Sequence, residues 1–141
     1  MTRDPDCIFC RIVNGEVPCY KLYEDDQVLA FLDVGPLSRG HSLIIPKAHY
    51  RTLAEMPGDL AAACARVAPR LSRAIMAATG KSASNLLQNN GRIAHQAVEH
   101  VHFHIIPKYD AESGLGIHWP AGKLDDDEAK PLVEAITTAM N

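Results

Sequence analysis

His100-Val101-His102-Phe103-His104-Ile105-Ile106 is the stretch of this sequence that decides its fold, because histidine alternates with apolar residues along it. A period of two predicts a β-strand with one apolar face for the core and one polar face. The polar face carries three imidazoles, and an imidazole can act as nucleophile, proton donor, phosphate contact or metal ligand. The sequence therefore predicts a chemically active strand over residues 101–107. The alternatives are an exposed polar face or a purely structural metal-binding strand.

The segments on either side of this strand complete an α+β pattern. Four more strands are predicted by short apolar runs bounded by turn residues, at 20–23, 28–32, 41–46 and 84–88. Three helices are predicted, at 7–13, at 57–79 and from the acidic run 125–128 to about 139. We therefore expect a five-stranded, mostly antiparallel sheet with helices packed on it.

Two prolines fall within the predicted helices. Pro69 falls inside the long helix, which Gly80 ends, and proline there predicts a kink or a break into two pieces. Pro131 falls near the start of the last helix, where it is expected only within the first turn.

Length and charge limit the class of protein. The 141 residues fit one domain spanning 1–141, with no internal repeat or long linker. Fourteen basic and 17 acidic residues leave a net charge of −3, so no nucleic acid or anionic membrane partner is expected. The chain starts with acids and a proline where a secretory signal would carry basic residues and then an apolar core. These features predict a cytoplasmic protein.

The histidine stretch resembles the signature of the histidine triad (HIT) superfamily, His-φ-His-φ-His-φ-φ with φ apolar, at every position. Further landmarks resemble the family in the same order, at 7–12, 24–26, 30–33, 40–47 with His49, and 89–91. The resemblance covers a core of about residues 7–119 and leaves 120–141 as a C-terminal tail and helix. Residues 114–120 resemble the tail of the histidine triad nucleotide-binding branch, and this implies a HIT-like homodimer.

The resemblance also implies a reaction. The enzyme would be a hydrolase or transferase that cleaves purine nucleoside phosphoramidates, or related AMP or GMP conjugates, to a nucleoside monophosphate. The reaction would pass through a nucleotidyl-histidine intermediate, with no organic cofactor. One alternative is a diadenosine polyphosphate hydrolase. Another is a nucleotide-binding adaptor in which turnover is incidental.

The family motifs assign roles to individual residues. His102 would be the nucleophile, His104 and His41 would flank the phosphate and offer proton transfer to the leaving group, and Gln96 would orient the histidines or touch the phosphate. Residues that match nucleotide-binding positions are Ile8, Phe9, Phe31, Asp33, Leu43, Asn89, Ala97, Val98 and Trp119. Among these, Asp33 would hold the ribose hydroxyls, and Trp119 would reach the partner subunit's site, although a single tryptophan is more often a packing residue.

The segment His95-Gln96-Ala97-Val98 departs from the phosphoramidase-type pattern Gly-Gln-Ser-Val. Ala97 lacks a hydroxyl that could assist the leaving group. His95 adds a side chain where the backbone would approach the phosphate closely or need a positive φ. These departures put the leaving-group preference in question.

Cys7-x-x-Cys10 is half of a tetrahedral zinc site. The resemblance completes it with His49 and His100, which predicts a structural zinc and a reaction that does not use the metal. A pair of buried thiols and a redox pair are the alternatives. Cys19 and Cys64 are predicted to be packing residues.

Overall fold

The computed structural model describes residues 2–141, and its centre is a five-stranded sheet in the order β1-β2-β3-β5-β4. The strands are β1 Lys21–Glu24, β2 Val28–Leu32, β3 Ser42–Pro46, β4 Ala83–Gln88 and β5 Phe103–Lys108. Every neighbouring pair is antiparallel. The helices are α1 Ile8–Val13, α2 Gly58–Thr79 and α3 Asp126–Met140, with short 3-10 turns at Leu53–Glu55 and Arg92–Ala94. The predicted α+β class and strand number are confirmed.

Each face of the sheet is covered by its own hydrophobic core. On one face, Val28, Ala30 and Ile44 pack with α2, and on the other, Leu29 and Phe31 pack with α1. Consecutive residues of β2 thus enter opposite cores, because successive side chains of a strand point to opposite faces. Val101, Phe103 and Ile105 join the α2 core, as the alternating stretch predicts.

The structure corrects the start of the histidine strand. β5 begins at Phe103, whereas the alternation predicts residue 101. The amides before it bond to loops, with His100 N–H donating to the Val98 carbonyl at 2.9 Å and Val101 N–H to the Tyr50 carbonyl at 2.8 Å. The first two histidines therefore stand in a loop ahead of β5.

The structure overturns the break considered at Pro69 and the first-turn position expected for Pro131. The helix α2 is one element of 22 residues that passes through Pro69 without a break. Buried residues on both sides of the proline, Val67 and Leu71 among them, hold it on the sheet. Pro131 is the sixth residue of α3, in its second turn, where it removes the bond to the carbonyl of exposed Asp127.

The C-terminal segment lies on the surface. From Gly116 to Asn141 every side chain is exposed except that of Ala129, which is half-buried. Asp125 caps α3 by accepting a hydrogen bond from Glu128 N–H at 2.9 Å. Among residues 2–141, the structure has no helix with both the length and the apolar character that crossing a membrane requires.

Candidate active site

Two clusters of ionisable side chains lie at the start of β5. His100 belongs to the first of them and His102 to the second. The Cys/His cluster comprises Cys7, Cys10, His49 and His100. The Asp/His cluster comprises Asp33, His41, His102 and His104. The sequence predicts both sets, and the structure brings the members of each together.

His102 is held in one tautomer by the backbone. Its Nδ1 lies 2.7 Å from the His100 carbonyl, which can only accept, so the proton stands on Nδ1 and the lone pair on Nε2. Burial lowers the pKa of His102, which keeps the ring neutral at pH 7. In the chain from residue 2 onward, Nε2 has no hydrogen-bond partner. This nitrogen is therefore available as a nucleophile.

A chain of hydrogen bonds sets the tautomers of His41 and His104. Leu37 N–H donates to His41 Nδ1 at 3.0 Å, so the His41 proton stands on Nε2. That group donates to His104 Nδ1 at 2.9 Å, which places the His104 proton on Nε2. His104 Nε2 is buried and has no partner among the described residues. The chain thus ends in an N–H donor that is free to bind an oxygen of a ligand.

Burial also controls the charge of these two rings. Burial lowers the pKa of His41, against the opposing effect of the Asp33 carboxylate. Burial, with His102 and His41 nearby, lowers the pKa of His104 to about 4. Both rings are neutral at pH 7. Both nitrogens of His41 are thus engaged within the site, and its role in proton transfer to the leaving group stays a prediction.

Asp33 follows β2 and lines a cleft of about 620 Å³. Its Oδ1 accepts from Gly35 N–H at 2.8 Å, and its Oδ2 lies 3.4 Å from His41 Nε2. Asn89, which follows β4, lines the same cleft, as do His95 and His104. The cleft thus runs across the ends of β2, β3, β5 and β4 in the order of the sheet.

Gln96 is buried and does not line this cleft. Its side chain accepts from Gly91 N–H at 2.7 Å, and donates to the carbonyls of Arg51 at 2.6 Å and Val98 at 3.0 Å. All of these contacts are to backbone, so Gln96 positions the loop between β4 and β5. Ala97 is exposed, and Val98 packs on the α1 core.

The residues predicted to form the purine slot are packed together beside His102. Phe9, Phe31 and Leu43 are buried in the α1 core, and the Phe9 ring meets the His102 ring edge to face at 5.1 Å. Ile8 is 40% exposed. Trp119 is 79% exposed and does not line the cleft of its own chain.

Sequence reasoning missed the apolar wall of the cleft. It is formed by Leu37, Leu87, Leu115 and Ile117. Leu115 and Ile117 belong to the tail segment that resembles the nucleotide-binding branch, which could have indicated them. The Leu37 amide that orients His41 has no sequence signature, because it is a backbone group.

The Cys/His cluster has the dimensions of a tetrahedral metal site. His49 Nδ1 and His100 Nδ1 are 3.2 Å apart, and Cys10 Sγ lies 3.5 Å and 3.6 Å from them. Cys7 Sγ lies 3.4 Å from His100 Nδ1. Tetrahedral zinc would place two nitrogens about 3.3 Å apart, and sulfur and nitrogen about 3.6 Å apart. The four side chains therefore fit a zinc ion.

Neighbouring groups direct these ligands. His100 Nε2–H donates to the Pro46 carbonyl at 2.8 Å, so its Nδ1 lone pair faces the cluster. Asp4 N–H lies 3.4 Å from Cys10 Sγ. Burial raises the pKa of the Cys7 thiol, so a cation is what would favour its thiolate form here.

Comparisons with known proteins agree with this geometry. The HIT domain model matches residues 14–111. The chain is 49% identical over 134 residues to the adenosine 5'-monophosphoramidase hnt1 of Schizosaccharomyces pombe, which covers 95% of this chain and 98% of that protein. It is 53% identical over 140 residues to the adenylylsulfatase HINT3 of Arabidopsis thaliana, covering 96% of this chain and 70% of that one.

Solved structures show the same fold. A histidine triad nucleotide-binding protein from Candida albicans matches with a TM-score of 0.88 and 42% identity, over 96% of this chain and 97% of that one. A Zn-bound histidine triad family protein from Mycobacterium smegmatis matches with a TM-score of 0.73 and 31% identity, over 95% and 97% of the two chains.

Proposed function

The chain belongs to the HIT domain family, and from that premise we propose that it hydrolyses purine nucleoside phosphoramidates and related nucleotide conjugates. The product would be a nucleoside monophosphate, formed through a nucleotidyl-histidine intermediate. The observation that carries the proposal is the state of His102, which is neutral and has a free Nε2. A relative named for adenosine 5'-monophosphoramidase activity and one named for adenylylsulfatase activity favour adenosine conjugates, and GMP conjugates are the next candidates.

In the first step, His102 Nε2 attacks the α-phosphorus and the bond to the leaving group breaks. As the ring gains positive charge, its Nδ1–H bond to the His100 carbonyl strengthens and stabilises the imidazolium. Water then attacks the same phosphorus and returns the lone pair to Nε2. Two displacements at a preorganised site replace one difficult reaction.

His104 binds the phosphoryl group. Its Nε2–H is buried without a partner, which costs free energy unless a ligand accepts the bond. A phosphoryl oxygen gaining charge in the transition state is such an acceptor. His41 holds this donor in place through the 2.9 Å bond to Nδ1, and so acts as a positioning residue.

Asp33 and Asn89 are proposed to bind the rest of the nucleotide. The Asp33 carboxylate is half-buried in the lining of the cleft and can accept hydrogen bonds from both ribose hydroxyls. Asn89 faces the same cleft from the end of β4 and can donate to a phosphoryl oxygen. The base would lie against Phe9, Phe31 and Leu43, with Ile8 at the exposed edge, and Ala97 and Val98 would line the approach to the phosphate.

The Cys/His cluster is proposed to bind one structural zinc ion through Cys7, Cys10, His49 and His100. Two thiolates and two imidazoles are ligands that zinc prefers, and four protein ligands leave no open position for substrate. The ion would tie α1 to the segment before β5, next to His102. The ion would stabilise the fold around His102 and fix the position of this nucleophile.

The first test of the function compares two substrates. We expect adenosine 5'-phosphoramidate to release AMP faster than diadenosine tetraphosphate does, measured by chromatography of both reactions at equal substrate concentration. Faster cleavage of the dinucleotide would favour the alternative that the protein is a diadenosine polyphosphate hydrolase. Inactivity on both compounds would refute the enzymatic proposal.

We also propose that the protein is a homodimer, because α3 has no buried side chain in the structure of residues 2–141. Its apolar side chains Leu132, Val133, Ile136 and Met140 are 49–79% exposed. A 15-residue helix is only marginally stable in water alone, so this stripe needs a surface to cover it. The acidic start of α3 complements the exposed arginines of α2, which are Arg66, Arg70 and Arg73. In such a dimer, exposed Trp119 is available to a second copy's site.

Sedimentation equilibrium tests the dimer. We expect a mass near twice that of the 15.4 kDa chain. Ile136→Asp should shift the mass toward the monomer, because it places a charge in the apolar stripe. Thr138→Asp, on the opposite side of α3, is the matched control and should leave the dimer intact. A monomer in all three proteins would contradict the proposal.

A further inference from the structure

The loop between β4 and β5 carries an unusual backbone conformation at His95. Its φ of 68° and ψ of 27° are left-handed, and among residues 2–141 it is the only residue other than glycine with a positive φ. Glycine adopts this conformation without steric cost, whereas a residue with a Cβ is strained there.

The conformation is imposed by the loop and not by contacts of the His95 ring. His95 N–H donates to the Arg92 carbonyl at 2.9 Å, and buried Gln96 fastens the loop to Gly91. The His95 ring itself makes no hydrogen bond within the part of the chain that is described. No hydrogen bond of the ring therefore offsets the backbone strain of a histidine at this position.

His95 lies at the cleft of the proposed active site. His95 lines it together with Asn89 and His104. Asp33 follows β2 and Asn89 follows β4, and the sheet order puts His104 of β5 between these two strands; Asn89 Nδ2 donates to the His95 carbonyl at 3.4 Å, which places His95 on the β4 side. If the ribose binds Asp33 and the phosphorus lies at His104, the leaving group occupies the side at His95.

A leaving amine needs a proton, and the other imidazoles are poorly placed to supply it. Both nitrogens of His41 are engaged, by Leu37 N–H and by His104. His104 is held neutral with one nitrogen bonded, so it is a hydrogen-bond donor and a poor acid. His95 is the titratable residue of the cleft lining whose side chain is uncommitted.

We propose that His95 binds the leaving group and protonates it, an assignment that rests on the proposed phosphoramidate hydrolysis. His102 Nε2 forms a bond to phosphorus while the P–N bond breaks. The electron pair of the broken bond stays on the leaving nitrogen, which takes a proton from the His95 imidazolium. In the second step, water attacks phosphorus and gives its proton to His95, and the bond to His102 breaks. Both histidines return to their starting states.

Leaving groups that depart as stable anions test this role, since they need no proton. We expect His95→Asn, which tolerates a left-handed conformation but cannot act as an acid, to lower kcat/KM for an N-alkyl adenosine 5'-phosphoramidate by roughly 100-fold. The same variant should change kcat/KM for adenylyl sulfate by less than about threefold, because loss of an acid matters only where a proton is transferred. Ile93→Ala, a fully exposed position in the same loop, is the control and should leave both values unchanged.

His95→Gly separates this role from a structural one. Glycine relieves the left-handed strain, so the melting temperature should be equal to or higher than that of the wild type, while the selective loss on the amine substrate persists. Equal losses on both substrates, or no loss on the amine, would overturn the assignment to His95. Inactivity of the wild type on both substrates would instead refute the proposed function itself.

Discussion

His102→Ala is expected to abolish AMP release, with a loss of roughly 10⁴-fold or more in kcat, because removal of a nucleophile eliminates the covalent route. Binding should persist, since the His104 donor and the Asp33 carboxylate remain. The measurement is single-turnover hydrolysis of adenosine 5'-phosphoramidate by the wild type and the variant. Acid-sensitive labelling of the wild type by an α-³²P substrate should report the phosphorus–nitrogen bond, and the variant should remain unlabelled.

The same variant distinguishes an enzyme from an adaptor. AMP should raise the melting temperature of His102→Ala as it does that of the wild type, which shows that the site is folded and occupied. In cells that lack the protein, His102→Ala should fail to restore function if the protein acts as an enzyme. It should restore function if the protein acts as an adaptor. Retention of substantial turnover by His102→Ala would show that another group is the nucleophile.

Cys10→Ala is expected to have the largest effect on stability. If zinc binds the Cys/His cluster, removing one thiolate should lower the melting temperature by on the order of 10 °C or more, because the binding free energy of a structural zinc is also folding free energy. Zinc content, measured by inductively coupled plasma mass spectrometry, should fall from about one ion per chain to well below it. Cys10, a residue of α1, is completely buried against His49 and His100, so the lost contacts act in the same direction.

Cys19→Ala is the matched control for this prediction. It removes the same group from a half-buried residue outside the cluster, and Cys19 packs at the edge of the same α1 core. Full zinc content and a small change in melting temperature are expected for it. A wild type without zinc, with both variants melting at similar temperatures, would favour a pair of buried thiols.

Much of the fold can be predicted from the sequence, because a strand with one buried face carries an apolar residue at every second position. The alternation of Val101, Phe103 and Ile105 with histidine predicts which side chains enter the α2 core, and the structure confirms it. Strand ends were less predictable, since they depend on where a neighbouring strand stops pairing. β3 pairs with β5 only from Phe103 onward, so the amides of His100 and Val101 bond elsewhere.

The helix corrections have a similar origin. Proline lowers the intrinsic stability of a helix, and sequence reasoning considers only that local cost. In α2 the cost is offset by buried side chains on both sides of Pro69. In α3 the carbonyl that loses its partner at Pro131 belongs to exposed Asp127 and can be solvated.

For the site, the sequence by itself determined which side chains have the necessary chemistry: three alternating histidines, His41, Asp33 and the Cys7-x-x-Cys10 pair. Only the tertiary structure decided what each imidazole does. The Pro46 carbonyl turns the lone pair of His100 to the thiols, the His100 carbonyl frees Nε2 of His102, and the Leu37 amide sets the tautomers of His41 and His104. All three are backbone groups, two carbonyls that every residue type carries and an N–H that every residue except proline carries, so their action depends on position in space and leaves no pattern in the sequence.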